Sequence, residues 1–264
     1  MTSNYYSQAW LECLRAIRTQ EMELVRPFLK PGQTILEIGA GAGWQAQIAA
    51  SLGCTVISVD IPQSNYAMLQ EWPILIYDGK HIPLADHSVD VIFSSNVMEH
   101  IPHIELFQLE MQRVLSPRGY AIHIMPNANW RFWTDLTLYP DTMRRIYRKT
   151  WKTFINLHAR VTSEQANYIN QTHSPKNKTT QKVLWELLWP CRHGETGNTV
   201  TEFYYFSRSR WTKLFQRYGW KMQQVLPNQL FYTGHLIFPY LDLKRRAQLS
   251  RILGSVSHIY VMSL

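Results

Sequence analysis

The stretch Thr34-Ile35-Leu36-Glu37-Ile38-Gly39-Ala40-Gly41-Ala42-Gly43-Trp44 constrains this chain more than any other. Five residues of buried-strand character run directly into three glycines at alternate positions. A helical pattern then begins near Gln45, with Ala46, Ile48, Ala49 and Leu52 on its apolar side. A strand, a glycine turn and a helix make the opening unit of a nucleotide-binding α/β sheet. Glycine reaches backbone angles closed to other residues and lets the main chain approach a ligand with no side chain between. The helix start adds unpaired N–H groups that favour polar or anionic ligand atoms.

The segments around this unit repeat its logic. An amphipathic helix over 8–29 carries Trp10, Leu14, Ile17, Leu24, Val25 and Phe28, and Lys30-Pro31-Gly32 ends it. Strands are expected at 34–38, 55–60, 73–77, 89–94 and 120–125. A short helix is expected over 62–70 and a longer one over 103–115, where Ile104, Phe107, Met111 and Val114 share a face. Ser116-Pro117-Arg118-Gly119 reads as the turn into the fifth strand. Strands alternating with helices at this spacing mean a parallel sheet wound with right-handed crossovers.

The alternation stops at Asn127. Residues 128–207 are rich in Trp, Tyr, Arg and Lys, with helical segments expected at 141–157 and 179–188 and a loop at 172–178 between them. This tract reads as an insertion covering the open edge of the nucleotide site. From Ser209 the core resumes with a helix ended by Gly219 and a strand over 220–226. A second insertion holds a basic helix over 243–253, stopped by Gly254, before a last strand over 258–262. Three parts are expected: an N-terminal helix and core at 1–127, the insertion at 128–207, and the completion of the core at 208–264.

The chain has 264 residues, 45% of them hydrophobic and 17% charged, which suits one large α/β domain with an ordinary core. No apolar run approaches the roughly 20 residues of a membrane-spanning helix. The first residues lack the basic start and apolar centre of a secretion signal. Cys13, Cys54 and Cys191 are isolated and show neither metal nor redox spacing. A cytoplasmic protein is expected. The net charge of +8 is uneven: residues 1–130 hold 7 Lys/Arg against 12 Asp/Glu, and residues 131–264 hold 20 against 7. Such asymmetry points to an anionic partner: a nucleic acid, a phospholipid surface, or an acidic or phosphorylated small substrate.

Two nucleotide chemistries use a strand, glycine loop and helix with an acid at the end of the next strand, here Asp60. They are dinucleotide-dependent oxidation and methyl transfer from S-adenosylmethionine (SAM). The dinucleotide turn places its third glycine, or a small stand-in, at position 44. Trp44 stands there, and the third glycine comes one residue early. Glu37, two residues before the first glycine, is the second discriminator. The string Glu37–Gly43 resembles the first motif of class I SAM-dependent methyltransferases. Asp78-Gly79, Ser88-Val89-Asp90-Val91-Ile92, Ser94-Ser95-Asn96-Val97-Met98-Glu99-His100-Ile101 and Val114-Leu115-Ser116-Pro117-Arg118-Gly119-Tyr120 resemble later motifs of the same family, in its small-molecule branch.

The resemblance covers about residues 30–127 and 209–226, and it implies a Rossmann-like, seven-stranded sheet with an antiparallel last strand. It also implies a cofactor set. Gly39, Gly41 and Gly43 would lie under the methionine part and ribose of SAM, with Glu37 holding its amino group directly or through water. Asp60 would bind the ribose hydroxyls, Ile61 would pack on the adenine, and Asp78 and Gly79 would meet its polar edge. Ser95 and Asn96 would line the methionine side next to the sulfonium. SAM carries the reactive methyl itself, so such a protein mainly aligns donor and acceptor.

On the acceptor side, His193 and Glu195 form a histidine–carboxylate pair suited to deprotonating a hydroxyl, within a glycine-bearing loop that its own Asn and Thr side chains also suffice to fold. Glu99-His100 offers another acid/base pair, although this dipeptide recurs in the family at a helix start. The Asn/Asp-Pro-Pro-aromatic turn of base-amine methylation is absent after strand four, and no cysteine stands where pyrimidine C5 methylation needs one. The reading is O-methylation of a small anionic or lipid-linked acceptor, of sugar or isoprenoid type, with a peripheral membrane or lipid-linked substrate in view and no metal required. RNA methylation is the alternative, since Arg144–Lys152 interleaves bases with aromatics. A SAM-binding module without catalysis is another; an NAD-dependent oxidoreductase is disfavoured by Trp44.

Overall fold

A computed structural model describes residues 8–161, 190–235 and 238–264. Seven strands form one sheet in the order β3-β2-β1-β4-β5-β7-β6. They are β1 (Thr34–Ile38), β2 (Thr55–Asp60), β3 (Ile74–Ile76), β4 (Val89–Ser95), β5 (Leu115–Pro126), β6 (Lys221–Pro227) and β7 (Ser257–Ser263). The first five run parallel, and β7 lies antiparallel between β5 and β6. Strand order reverses at β1/β4, where the chain leaves toward opposite edges of the sheet. A crevice opens there beyond the carboxyl ends of the strands, the place where open α/β sheets hold ligands.

The helices are α1 (Gln8–Val25), α2 (Trp44–Ser51), α3 (Ile104–Val114), α4 (Ala128–Val161), α5 (Glu202–Tyr205), α6 (Arg208–Arg217) and α7 (Leu243–Leu253). Alternate residues of each strand point to opposite faces, so the central strands feed two cores. Leu36, Ile38 and Ile92 pack with Met111, Phe215, Trp220 and Tyr260 on one side. Ile35, Val91, Ile122 and Ile124 pack with Met22, Val25 and Ala49 on the other. A third cluster joins Leu14 and Ile17 of α1 to Trp130 of α4 and to Leu230, Phe231 and Tyr232 after β6. This cluster bridges distant parts of the chain beside the crevice.

Three local expectations change. The helix expected over 62–70 shrinks to a 3-10 turn at Ala67–Leu69. Ser64 N–H donates to the Ile61 carbonyl and Ala67 N–H to that of Ser64, so successive tight turns use the donors that a helix would need. Residues 116–119 do not separate helix from strand but bulge within β5. Val89 pairs with Leu115 and Val91 with Tyr120, so the extra residues are displaced without breaking the strand. The basic helix expected to start at Asp141 is the second part of α4, which begins at Ala128 and runs through Pro140. One proline removes one N–H from a 34-residue helix whose remaining ladder holds. The segments expected at 172–178 and 179–188 lie outside the described residues.

Candidate functional site

The glycine loop turns sharply between β1 and α2. Gly39, Gly41 and Gly43 all have positive φ, at 70°, 59° and 80°. The loop is pinned to β2: Gly39 and Ala40 donate to the Val59 carbonyl at 2.8 and 3.2 Å. The three positions differ in what a side chain would meet. A methyl on Gly39 would lie 2.4 Å from Val97 Cγ2, and one on Gly43 2.3 Å from Trp72 Cβ. On Gly41 the nearest atom would be 3.4 Å away, on Tyr66. Packing therefore demands glycine at the two outer positions, whereas a methyl at the middle one would make only ordinary contact with Tyr66, at the edge of an open space.

That space is a cavity of about 570 Å³ lying over the carboxyl ends of β1 and β4. Gly39, Gly41, Ser95 and Asn96 line it, as do Trp44 and Tyr66. Its far wall comes from Trp130 of α4, His193, and the Tyr232–Gly234 segment. The crevice thus receives four of the expected cofactor residues directly and continues past Ser95 and Asn96 to Trp130 and His193.

The other expected cofactor residues stand behind or beyond that wall. Asp60 is buried at the end of β2, where its carboxylate accepts from Gly41 N–H and Ile61 N–H, each at 2.8 Å. It shapes the loop as well as facing it. Ile61 is partly exposed, and a methyl on Gly79 would lie 3.2 Å from its Cγ2, so these two positions adjoin. Asp78 instead folds over its own turn, accepting from Lys80 N–H and His81 N–H at 2.8 Å and pairing with the His81 ring. The donors from His81, backbone first, hold the Asp78 carboxyl well below the usual carboxylate range.

Glu37 is 3% exposed and lies beneath the loop rather than on the cavity wall. Burial pushes its carboxyl up to about 7, against the Ser58 hydroxyl that donates to it at 2.7 Å; nearby Asp60 pushes the same way as burial. Gln45, at the start of α2, adjoins both Glu37 and the cavity, and its buried amide nitrogen has no partner among the described residues. Glu37 reaches a ligand only through such a neighbour.

Arg18 is the cation of the cavity and carried no motif. Its guanidinium pairs with Glu21 at 2.7 Å. With the Asn96 amide turned so that its oxygen faces Arg18, that oxygen accepts from Nη1 at 2.5 Å. Glu21 is fully buried and also accepts from Asn228 at 3.0 Å and from the Tyr232 hydroxyl at 2.9 Å. One carboxylate on α1 therefore fixes both the cation and the Tyr232 wall. The helical period placed Arg18 on a polar face of α1, but nothing local shows that this face closes a cavity.

The expected pair of His193 with Glu195 is not formed. Glu195 is exposed and turned toward Arg192, 3.6 Å away. Loop geometry explains the separation. His193 N–H and Gly194 N–H both donate to Glu202 Oε1 at 2.7 Å, and Glu195 N–H donates to the Glu99 carbonyl at 2.9 Å. Glu202 is itself paired with buried Arg131 at 3.0 Å. These bonds turn the His193 ring inward against Trp130 and His100, at 4.5 and 4.7 Å between centroids. This packing, with burial the main cause, lowers the His193 pKa. The second histidine of the cavity is thus His100, from the Glu99-His100 pair after β4.

Residues 36–123 match the family model described as a methyltransferase domain. An uncharacterized methyltransferase of Mycobacteroides abscessus is 39% identical over 100 residues, which are 34% of this chain and 39% of that protein. The chain spans about two fifths of the length of that relative. A solved SAM-dependent methyltransferase from Mesorhizobium loti superimposes with a TM-score of 0.51 over 92% of this chain and 97% of its own, at 14% identity. One from Archaeoglobus fulgidus does so with 0.50 over 93% of each, also at 14%. At such identity the likeness concerns the fold. Residues 36–123 therefore match a methyltransferase domain, set in a Rossmann-like seven-stranded sheet like that of the solved SAM-dependent methyltransferases, and no helix among the described residues is long and apolar enough to cross a membrane.

Proposed function

We propose that the chain transfers a methyl group from SAM to an oxygen of a small anionic or lipid-linked acceptor, of sugar or isoprenoid type. The observation that carries this reading is one cavity running from the glycine loop, past Ser95 and Asn96, to His193. The residues fit the cofactor: Gly41 lines the cavity with no side chain of its own, and Arg18, held by Glu21, braces Asn96 on the same wall. When bound, SAM supplies an electrophilic methyl on its sulfonium. The Gly39–Gly43 backbone and Asn96 would hold its methionine part, and Asp60 its ribose. Ile61 and Gly79 would flank the adenine.

The acceptor then occupies the part of the cavity between Asn96 and the Trp130–His193 wall. Its oxygen loses a proton on the side of His100 and His193. Two features favour the acceptor class. The second half of the chain is strongly basic, as counted above. A second cavity of about 240 Å³, lined by Trp133, Phe231, Phe238, Leu249 and Leu253, shares Tyr232 and Thr233 with the first. An apolar tail would fit there while a polar head stays near His193.

Calorimetric titration with SAM and S-adenosylhomocysteine, with NAD as control, tests the cofactor on wild type and Asp60→Ala. Micromolar adenosyl binding that the variant loses is expected. Binding of NAD alone would overturn the assignment. Methyl transfer to RNA but to no isoprenoid or sugar acceptor would overturn the acceptor class.

A further inference from the structure

Glu99 sits on the 3-10 turn Met98–His100 that follows β4, and its side chain is 3% exposed. Neither carboxylate oxygen has a hydrogen-bond partner among the described residues. A buried carboxylate without donors is costly, and native structures rarely leave one so. Two imidazoles flank it. His100 Nε2 lies 3.8 Å from Glu99 Oε1, and the His193 ring meets that of His100 edge to face. One ligand atom from each of the three residues falls within 4.8 Å of the others.

The surrounding structure holds this cluster in place. Glu195 N–H bonds to the Glu99 carbonyl, and Glu202 clamps the His193 backbone, so the turn after β4 and the His193 loop are tied together. The nearby cations are already matched: Arg131 by Glu202 and Asp135 at 3.0 and 3.1 Å, and Arg18 by Glu21. Their charges do not require Glu99.

We infer that Glu99, His100 and His193 bind one divalent transition-metal ion of the zinc type, with a further coordination position open to the large cavity. Two imidazoles and one carboxylate are a donor set for Zn²⁺, Co²⁺ or Fe²⁺, whereas Mg²⁺ and Ca²⁺ select oxygen ligands. Both imidazoles line the cavity, so the open position faces the volume assigned to the acceptor. A metal there binds and orients an acceptor oxygen and makes its proton easier to lose. That consequence rests on the proposed methyl transfer; the binding of the metal does not.

The test is titration of the chelator-stripped chain with Co²⁺, followed by its visible absorption, then by displacement with Zn²⁺. S-adenosylhomocysteine binding and a thermal melt are measured on the same samples. One Co²⁺ per chain is expected, with affinity lowered about 100-fold or more in Glu99→Gln and His193→Asn, beyond the roughly 10- to 100-fold cost of losing a supporting partner. His193 stands on an exposed loop, so His193→Asn keeps the test valid should Glu99→Gln fail to fold. His103→Asn, at an exposed position with φ of 55° that asparagine tolerates, should bind as wild type. A chain that melts cooperatively yet shows no saturable Co²⁺ band overturns the inference. So does binding that His193→Asn leaves unchanged. Co²⁺ binding without S-adenosylhomocysteine binding would instead remove the cofactor assignment and leave the metal site standing.

Discussion

Alanine at Gly41 and at Gly43 should separate ligand contact from packing. Both glycines have left-handed backbone, at φ of 59° and 80°. Placing a β-carbon in that region costs about 1–2 kcal/mol. For a chain of this size, 1 kcal/mol lowers the melting temperature by about 2–4 °C, so Gly41→Ala should lose about 2–8 °C. Gly43→Ala carries the same backbone cost and a methyl 2.3 Å from Trp72 Cβ and 3.3 Å from its Cα. Overpacking of that kind adds about 1–3 kcal/mol, so its melt should fall further. The order reverses for the cofactor. Gly41 lines the cavity and Gly43 does not. A methyl at 41 should weaken S-adenosylhomocysteine about tenfold or more, equivalent to about 1.4 kcal/mol. Below its melt, Gly43→Ala should bind within about threefold of wild type. Differential scanning fluorimetry and calorimetry read the two effects. Wild-type affinity in Gly41→Ala together with lost affinity in Gly43→Ala would refute the argument that the middle glycine faces the ligand.

Glu37 should leave a mark on stability against pH. Its carboxyl titrates at about 7 in the folded chain against an ordinary 4.5, so its stabilising contribution is complete below about pH 4.5 and is lost as pH rises through 7. Glu37→Gln should remove a slope worth about 3 kcal/mol or less and make the free protein relatively more stable at pH 8. Urea midpoints at pH 5 and 8 measure this, and an unchanged difference between them would sink it. Arg18→Met should destabilise by about 3–5 kcal/mol, because Glu21 keeps its buried charge without its cation. Adding Glu21→Gln should restore most of that loss, and a double variant no more stable than the single one would contradict the pairing.

The core was legible because its signals are local. β1, β2 and α7 begin and end where glycine, proline and the apolar period place them, and the parallel order follows from the alternation. The middle of the chain was harder to read. Pro140 looks like a helix start, yet in α4 the turns on both sides outweigh one missing N–H. Residues 116–119 have the composition of a turn, which sequence cannot distinguish from a bulge held by β4. The glycine loop announced itself through spacing, while Arg18, Gln45 and Tyr232 did not. Each of these owes its place in the cavity wall to a contact with a distant part of the chain: Arg18 to Asn96, Gln45 to the loop above Glu37, Tyr232 to Glu21 of α1. His193 paired with its neighbour Glu195 on the page and with His100 in space, because Glu202 captures the backbone between them. Glu99 and His193 stand too far apart in the chain for any metal-ligand spacing to join them.

The buried Glu21 has a consequence for the timing of biosynthesis. Its acceptors are filled by Asn228 and Tyr232, near the far end of the chain, and its cation lines the cavity from the near end. A nascent chain that has emerged through β5 already holds the glycine loop, Asp60 and Asn96. It still lacks the wall at Trp130, His193 and Tyr232 that closes the crevice, and α1 lacks two of the donors that orient it. A complete crevice therefore requires the segment after β6, which the ribosome releases well after the glycine loop, Asp60 and Asn96.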